Sequence, residues 1–275
     1  MRSIRRLTPV LVVLILASGT GFTQTSTLYV TDGDAARLAI VQGGVLQAVQ
    51  ATHVKGYPLT VTGSVWIGDY DGTQPNTIEY DLTGAPTGNT VLYTSIHAVD
   101  GATNGIGSWQ LGSAFGTLGQ VFFSPTLNFQ GSTHVFNVPG NDVVGITYDS
   151  ASGTLWISDE FRIYNYSTTG TLLGEFDHSS GRGCIAYEPA TDTLWYVTNS
   201  SNTITQYSKA GTVLQALTVA GLQSNNWGCE FPMSTLGPPP QLPDPIPALG
   251  AWGAALLATL LLGLALVLLR RHRVA

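Results

Sequence analysis

Residues Val144 to Phe176 read VGITYDSASGTLWISDEFRIYNYSTTGTLLGEF, and the same text returns as CIAYEPATDTLWYVTNSSNTITQYSKAGTVLQAL from Cys184 to Leu217. Setting Leu155-Trp156 on Leu194-Trp195 gives a period of 39 residues and pairs Ile146 with Ile185 and Tyr148 with Tyr187. One inserted residue then pairs Asp159 with Asn199, and a second pairs Gly170 with Gly211. Each copy holds four runs of strand length, in the first copy Gly145 to Tyr148, Thr154 to Ser158, Arg162 to Tyr166 and Leu172 to Phe176. Turn chemistry separates them at Asp149 to Gly153 and Thr168 to Gly170, where Asp and Ser bond nearby backbone and Gly accepts positive φ. A repeat of about 40 residues built this way is one four-stranded blade of a β-propeller. Trp156 and Trp195 fall in the second run, where a large ring fills the wedge between neighbouring blades.

The N-terminal text TLYVTDGDAARLAIVQGGVLQAV, from Thr27, matches the second, third and fourth strands of the unit and lacks the first. The missing strand stands at the other end, where Asn226-Trp227-Gly228-Cys229-Glu230-Phe231-Pro232 resembles Gly181 to Tyr187. The C-terminal strand is therefore expected to complete the N-terminal blade, which closes the ring and removes its open edges. Residues Gly56 to Thr94 carry another unit; Ser95 to Pro139 carry a blurred one, in which Gly101 to Gly119 reads equally as strand or ornamented loop. The expectation is an all-β propeller of about five blades over residues 25–233, a sixth requiring an extra blade in the blurred segment.

The ends carry addresses. Arg2, Arg5 and Arg6, an apolar run from Leu7 to Ala17, and small residues to Gly21 have the order of a signal peptide, residues 1–21; an uncleaved anchor is the other reading. Residues 234–245 form a Pro-rich linker, and Leu236 to Pro247 holds six prolines in twelve residues, an extended spacer. Ala248 to Leu269 is 22 residues without a charge, expected to form a single transmembrane helix, and Arg270, Arg271 and Arg273 follow it. The positive-inside rule keeps these arginines cytoplasmic and puts the propeller across the membrane.

Residues Ile246, Pro247, Leu249, Trp252 and Gly253 at the head of this span resemble the IPTLxxWG-type C-terminal sorting signal, with Ala248 where that family carries Thr. With the apolar segment and the basic tail, residues 246–275 are similar to the PEP-CTERM-like class that exosortases handle. The resemblance implies export, transient anchoring in the inner membrane, processing by an exosortase-like partner, and delivery to the cell surface or extracellular matrix. An ordinary single-span anchor with Trp252 at the interface fits the same residues. The blades themselves look like those of NHL/YncE-like repeat proteins.

Of 11 Lys and Arg, six lie in the two end segments, whereas all 17 Asp and Glu lie between them. A chain trimmed at both ends carries a net charge of −12, which argues against nucleic acid as a partner and permits cations or basic ligands. Cys184 and Cys229 occupy matching places in two first strands of neighbouring blades, within reach of a disulfide in an oxidising compartment; two separate buried thiols are the alternative. Asp32, Asp69, Asp159 and Asn199 recur at the end of the second strand, where a ring of oxygens could hold Ca²⁺ or another divalent cation, or each could cap its own turn. His53, His97, His134 and His178 recur at intervals of 44, 37 and 44 residues. No Gly-x-Ser-x-Gly elbow, His-Glu-x-x-His, phosphate loop or Cys-x-x-Cys pair is present. The expected role is therefore a non-enzymatic surface or matrix protein binding a protein or glycan, with a metal-dependent lactonase- or lyase-like enzyme at the channel mouth as the alternative.

Overall fold

Short runs ended by Gly, Asp or Ser cannot satisfy their backbone groups singly, so they pair as antiparallel meanders. A computed structural model of the chain describes residues 26–233 apart from 53–54, 71–75, 93–96, 113–118, 141 and 223. The expected signal peptide, linker, span and sorting residues Ile246 to Arg273 lie outside the described residues. Among the described residues every regular element is a strand, and no helix is long and apolar enough to cross a membrane.

The described residues form twenty strands in five four-stranded sheets. Blade 1 holds β1 (Leu28–Asp32), β2 (Arg37–Gln42) and β3 (Val45–Ala51); blade 2 holds β4 (Gly56–Val61), β5 (Val65–Asp69), β6 (Asn76–Tyr80) and β7 (Pro86–Leu92). Blade 3 is β8 (Ala98–Thr103), β9 (Ser108–Gly112), β10 (Gly119–Ser124) and β11 (Thr133–Val138); blade 4 is β12 (Gly145–Asp149), β13 (Thr154–Ser158), β14 (Arg162–Ser167) and β15 (Leu172–Asp177). Blade 5 is β16 (Gly183–Glu188), β17 (Thr193–Thr198), β18 (Thr203–Tyr207) and β19 (Val213–Thr218). The last strand, β20 (Asn226–Glu230), pairs with β1 in the order β20-β1-β2-β3, so the two ends of the ring close one blade. The blurred segment is a full blade, with β9 inside the stretch that also read as a loop. The ring is complete within residues 26–233.

The first strand of each blade is innermost and packs against its counterparts on both sides, β4 on β8, β8 on β12, β12 on β16, β16 on β20 and β20 on β4. Apolar side chains fill the wedges between blades. Leu28, Val30 and Ala39 meet Ala186, Trp195 and Val197 between blades 1 and 5, and Tyr29, Leu38 and Ile40 meet Leu59, Ile67 and Tyr80 between blades 1 and 2. Trp156 and Trp195 are buried as expected, and each indole N–H donates to an acid at the end of its first strand, Asp149 at 3.3 Å and Glu188 at 2.9 Å. Cys184 of β16 and Cys229 of β20 are joined by a disulfide, with Cα atoms 5.6 Å apart. It ties the closing strand to blade 5, and closing a 45-residue loop contributes about 4 kcal/mol in the chain-entropy model.

Inner strands approach so closely that side chains are excluded at set points. A Cβ at Gly228 would strike the carbonyl oxygen of Tyr57, and one at Gly145 would lie 2.9 Å from the carbonyl oxygen of Gly183. Gly228→Ala is therefore expected to lower stability by about 1–3 kcal/mol in urea denaturation. Gly63→Ala, where an added Cβ meets nothing, should change it by less than about 0.5 kcal/mol.

Candidate functional site

Each inner strand is paired on one side only, so its free N–H groups point at the axis and need acceptors there. Asp100 of β8 supplies them. The register of β8 on β9 shifts between Ala98 and Asp100, a bulge that redirects the side chains of the strand. The Asp100 carboxylate is fully buried and accepts the amides of Gly101 at 2.8 Å and Ile146 at 3.0 Å, together with those of Ile185 and Cys229. One side chain thus binds strands β8, β12, β16 and β20. Thr147 Oγ1 accepts the amide of Tyr187 at 3.0 Å and donates to the Glu230 carboxyl at 2.8 Å. Thr31 Oγ1 accepts the amide of Gly228 at 3.0 Å and donates to the Tyr57 carbonyl at 3.0 Å, linking blades 1 and 2.

Burial pushes both axial carboxyls well above the usual range. Four amides pull Asp100 back, whereas the Asp100 charge pushes Glu230 further up and only Thr147 opposes it. Glu230 is thus the carboxyl whose rise meets the fewer opposing hydrogen bonds. Neither acid was singled out in the sequence reading. The signal for both was a carboxylate inside an otherwise uncharged inner-strand run, AVDGAT and NWGCE.

The upper face is the one where inner strands begin and second strands end, and it carries the recurring acids. Asp32, Asp69 and Asp159 are buried there, and Asn199 is partly exposed. They serve their own surroundings. Asp32 Oδ1 accepts the Ala35 amide at 3.2 Å, and burial raises its carboxyl. Asp159 Oδ1 accepts the amides of Phe161 at 2.7 Å and Arg162 at 2.6 Å, while its Oδ2 accepts the Tyr164 hydroxyl at 2.9 Å. Asn199 Nδ2 donates to the Asn226 carbonyl at 3.0 Å. Among the described residues no three of His, Cys, Asp and Glu gather as a group that could hold a metal ion.

The histidines are also separate. His53 lies outside the described residues, His97 is exposed with its ring edge toward Tyr70, and His134 sits on outer strand β11 beside Asn137. His178 is buried against Tyr196; its Nε2–H donates to the Asp159 carbonyl at 3.0 Å, and its Nδ1 accepts the Ser180 amide at 3.3 Å. Burial holds its pKa below the ordinary value, so it is neutral at pH 7.

Two surface features remain on this face. Trp227, Tyr57 and Tyr70 stack across blades 1 and 2 with ring centroids 5.0 and 4.3 Å apart. A depression of about 690 Å³ lies over blade 4, between Gly140, Asp159, Phe161, Arg162 and His178. Phe161 is 58% exposed at its rim, although it follows directly on a buried strand.

No protein-family model matches the chain, and no curated protein sequence matches it. Solved structures do match in three dimensions, and they share its class, the β-propeller. A chain from a nidogen/laminin complex aligns with a TM-score of 0.52 at 11% identity, covering 75% of this chain and 98% of that one. The glutaminyl cyclase of Myxococcus xanthus aligns at 0.46 and 14% identity over 71% and 75% of the two chains. The virginiamycin B lyase of Staphylococcus aureus aligns at 0.43 and 15% identity over 74% and 70%. The first likeness is one of fold alone, and the other two carry no argument about this chain.

A carboxyl whose pKa is raised by folding stabilises the fold below its unfolded value of about 4.3 and loses that contribution as pH rises through the folded value. Glu230→Gln, which copies the protonated form, is accordingly expected to be more stable than the wild type at pH 8 and close to it at pH 5. Urea midpoints at the two pH values check this. Asp100→Asn, which turns an amide toward four N–H donors, should cost about 3–5 kcal/mol at either pH.

Proposed function

We propose that this chain is an exported β-propeller, carried to the cell surface or extracellular matrix, that binds a protein or glycan through the upper face of blade 4 without chemical turnover. The observation that carries the reading is the turn held by Asp159. Two amides and a tyrosine hydroxyl fix that carboxylate, so Phe161 and Arg162 are presented by a rigid support beside a depression. An exposed aromatic next to an arginine, pre-organised over a concave surface, is the composition that concentrates binding energy. Arg162 is further held by ion pairs to Glu175 at 3.0 Å and Asp177 at 3.3 Å. The equivalent turn of blade 5 carries Asn199, which is spent on the closing strand, so the feature belongs to blade 4.

The export part of the reading rests on the sorting residues Ile246, Pro247, Leu249, Trp252 and Gly253 and on the basic tail. The alternative, a metal-dependent lactonase- or lyase-like enzyme, would have to recruit oxygens other than those of Asp32 and Asp159 and a base other than His178, whose nitrogens both serve backbone groups.

Labelled domain 25–233 added to intact cells of the source organism is expected to bind saturably. Phe161→Ala with Arg162→Ala should weaken that binding about tenfold or more, a loss of at least about 1.4 kcal/mol. Equal binding by the two proteins would sink the reading, as would one tightly held metal ion per chain together with turnover. In the exporting host, Pro247→Ala with Trp252→Ala should accumulate unprocessed chain in the membrane fraction, and normal processing would remove the exosortase-like partner.

A further inference from the structure

Blades 4 and 5 are the two clearest copies of one unit, and the column of cross-strand neighbours that starts at the shared tryptophan differs between them. In blade 5 the column is Trp195, Gln206 and Gln215, in direct register across β17, β18 and β19. Its polar groups form a closed set. The Trp195 indole N–H donates to Glu188, Gln206 Nε2 donates to Thr193 Oγ1 at 2.8 Å, and Gln215 Nε2 donates to Gln206 Oε1 at 2.9 Å. In blade 4 the same register brings together Trp156, Asn165 and Gly174. Asn165 is one methylene shorter than Gln206, and Gly174 has no side chain where Gln215 has a long one. The chain of amides is missing, and Asn165 Oδ1 is buried without a hydrogen-bond partner.

The vacated column is a cavity of about 340 Å³ at the seam with blade 5. That is the small end of the range for ligand pockets. Trp156 and Phe176 give it apolar surface; Ser152, Asn165, Glu175 and Lys209 give it donors and acceptors. Its charged groups already have partners, Lys209 with Asp149 at 2.7 Å and with Asp192, and Glu175 with Arg162 at 3.0 Å, and the carboxylates outnumber the cation in the lining, which disfavours an anionic ligand. A fitting ligand is therefore neutral, presents hydroxyls to an amide and a carboxylate, and has a flat C–H face for an aromatic ring.

We infer that the seam between blades 4 and 5 is a binding site for one neutral hexopyranose unit. The site uses the lower half of blade 4, toward the turns after β12 and β18, and so stands whether or not the Phe161 face binds a partner. Gly174 is the residue that opens it.

The test follows the Trp156 indole N–H resonance in ¹H–¹⁵N spectra of domain 25–233 during titration with the methyl pyranosides of glucose, galactose and mannose, with N-acetylglucosamine, and with glucuronate. At least one neutral sugar is expected to move the resonance with a Kd of about 1–10 mM. Gly174→Gln restores the blade 5 side chain at a position where an added Cβ meets nothing within 4 Å, so it should fold and melt no lower than the wild type. It should bind the same sugar at least about tenfold more weakly, whereas Phe161→Ala should bind it as the wild type does. The inference is overturned if none of the neutral sugars moves the resonance, if glucuronate binds more tightly than all of them, or if folded Gly174→Gln binds undiminished.

Discussion

A buried carboxylate on the axis holds the ring together. Five inner strands converge as half-paired edges, and their N–H groups are sealed from water by the blades they belong to. Hydroxyl side chains can answer these donors singly, as Thr31 and Thr147 do. Asp100 answers four at once, one on each of four inner strands, because the two oxygens of a carboxyl group together offer about four acceptor sites. Its desolvation is compensated only while all four strands are in place, so the interaction couples four blades through one side chain. Glu230, with Thr147 as its hydrogen-bond partner, completes the polar axis.

Outside the axis, the copies are alike where they pack and different where they face solvent. Trp156 and Trp195 fill the same wedge position and donate to the same kind of acid. The departures cluster in blade 4. Asp159 takes up the amides of Phe161 and Arg162 where Asn199 reaches across to the closing strand, and Gly174 leaves a gap where Gln215 fills one. A repeat can change at such positions at little cost to the core, since neither side chain carries the packing between blades. Both proposed binding places arise from these departures, one at each end of the same blade.

Much of this was legible in the chain. The duplicated unit, with its turn residues and its strand-length runs, located the strands of blades 4 and 5 to within a residue, because periodicity and turn chemistry are local. The orphan strand at Asn226 to Glu230 announced ring closure, and the matched positions of Cys184 and Cys229 announced their nearness. The third blade was blurred because its glycines and the bulge before Asp100 break the alternation that marks a strand. The recurring acids read either as a shared ring of ligands or as caps of their own turns, and Asp32 and Asp159 accept local amides, since a side chain near a strand end reaches local amides more easily than the axis.

What the sequence determined by itself is the unit and the way the ends meet, both consequences of short-range pattern repeated along the chain. What only the tertiary structure decided is which polar residues face each other. Asp100 meets Ile146, Ile185 and Cys229, and Thr147 meets Glu230, across separations that no local pattern encodes. Those meetings are set by ring closure, which brings five unpaired edges to one axis and leaves a carboxylate as the group able to satisfy them together.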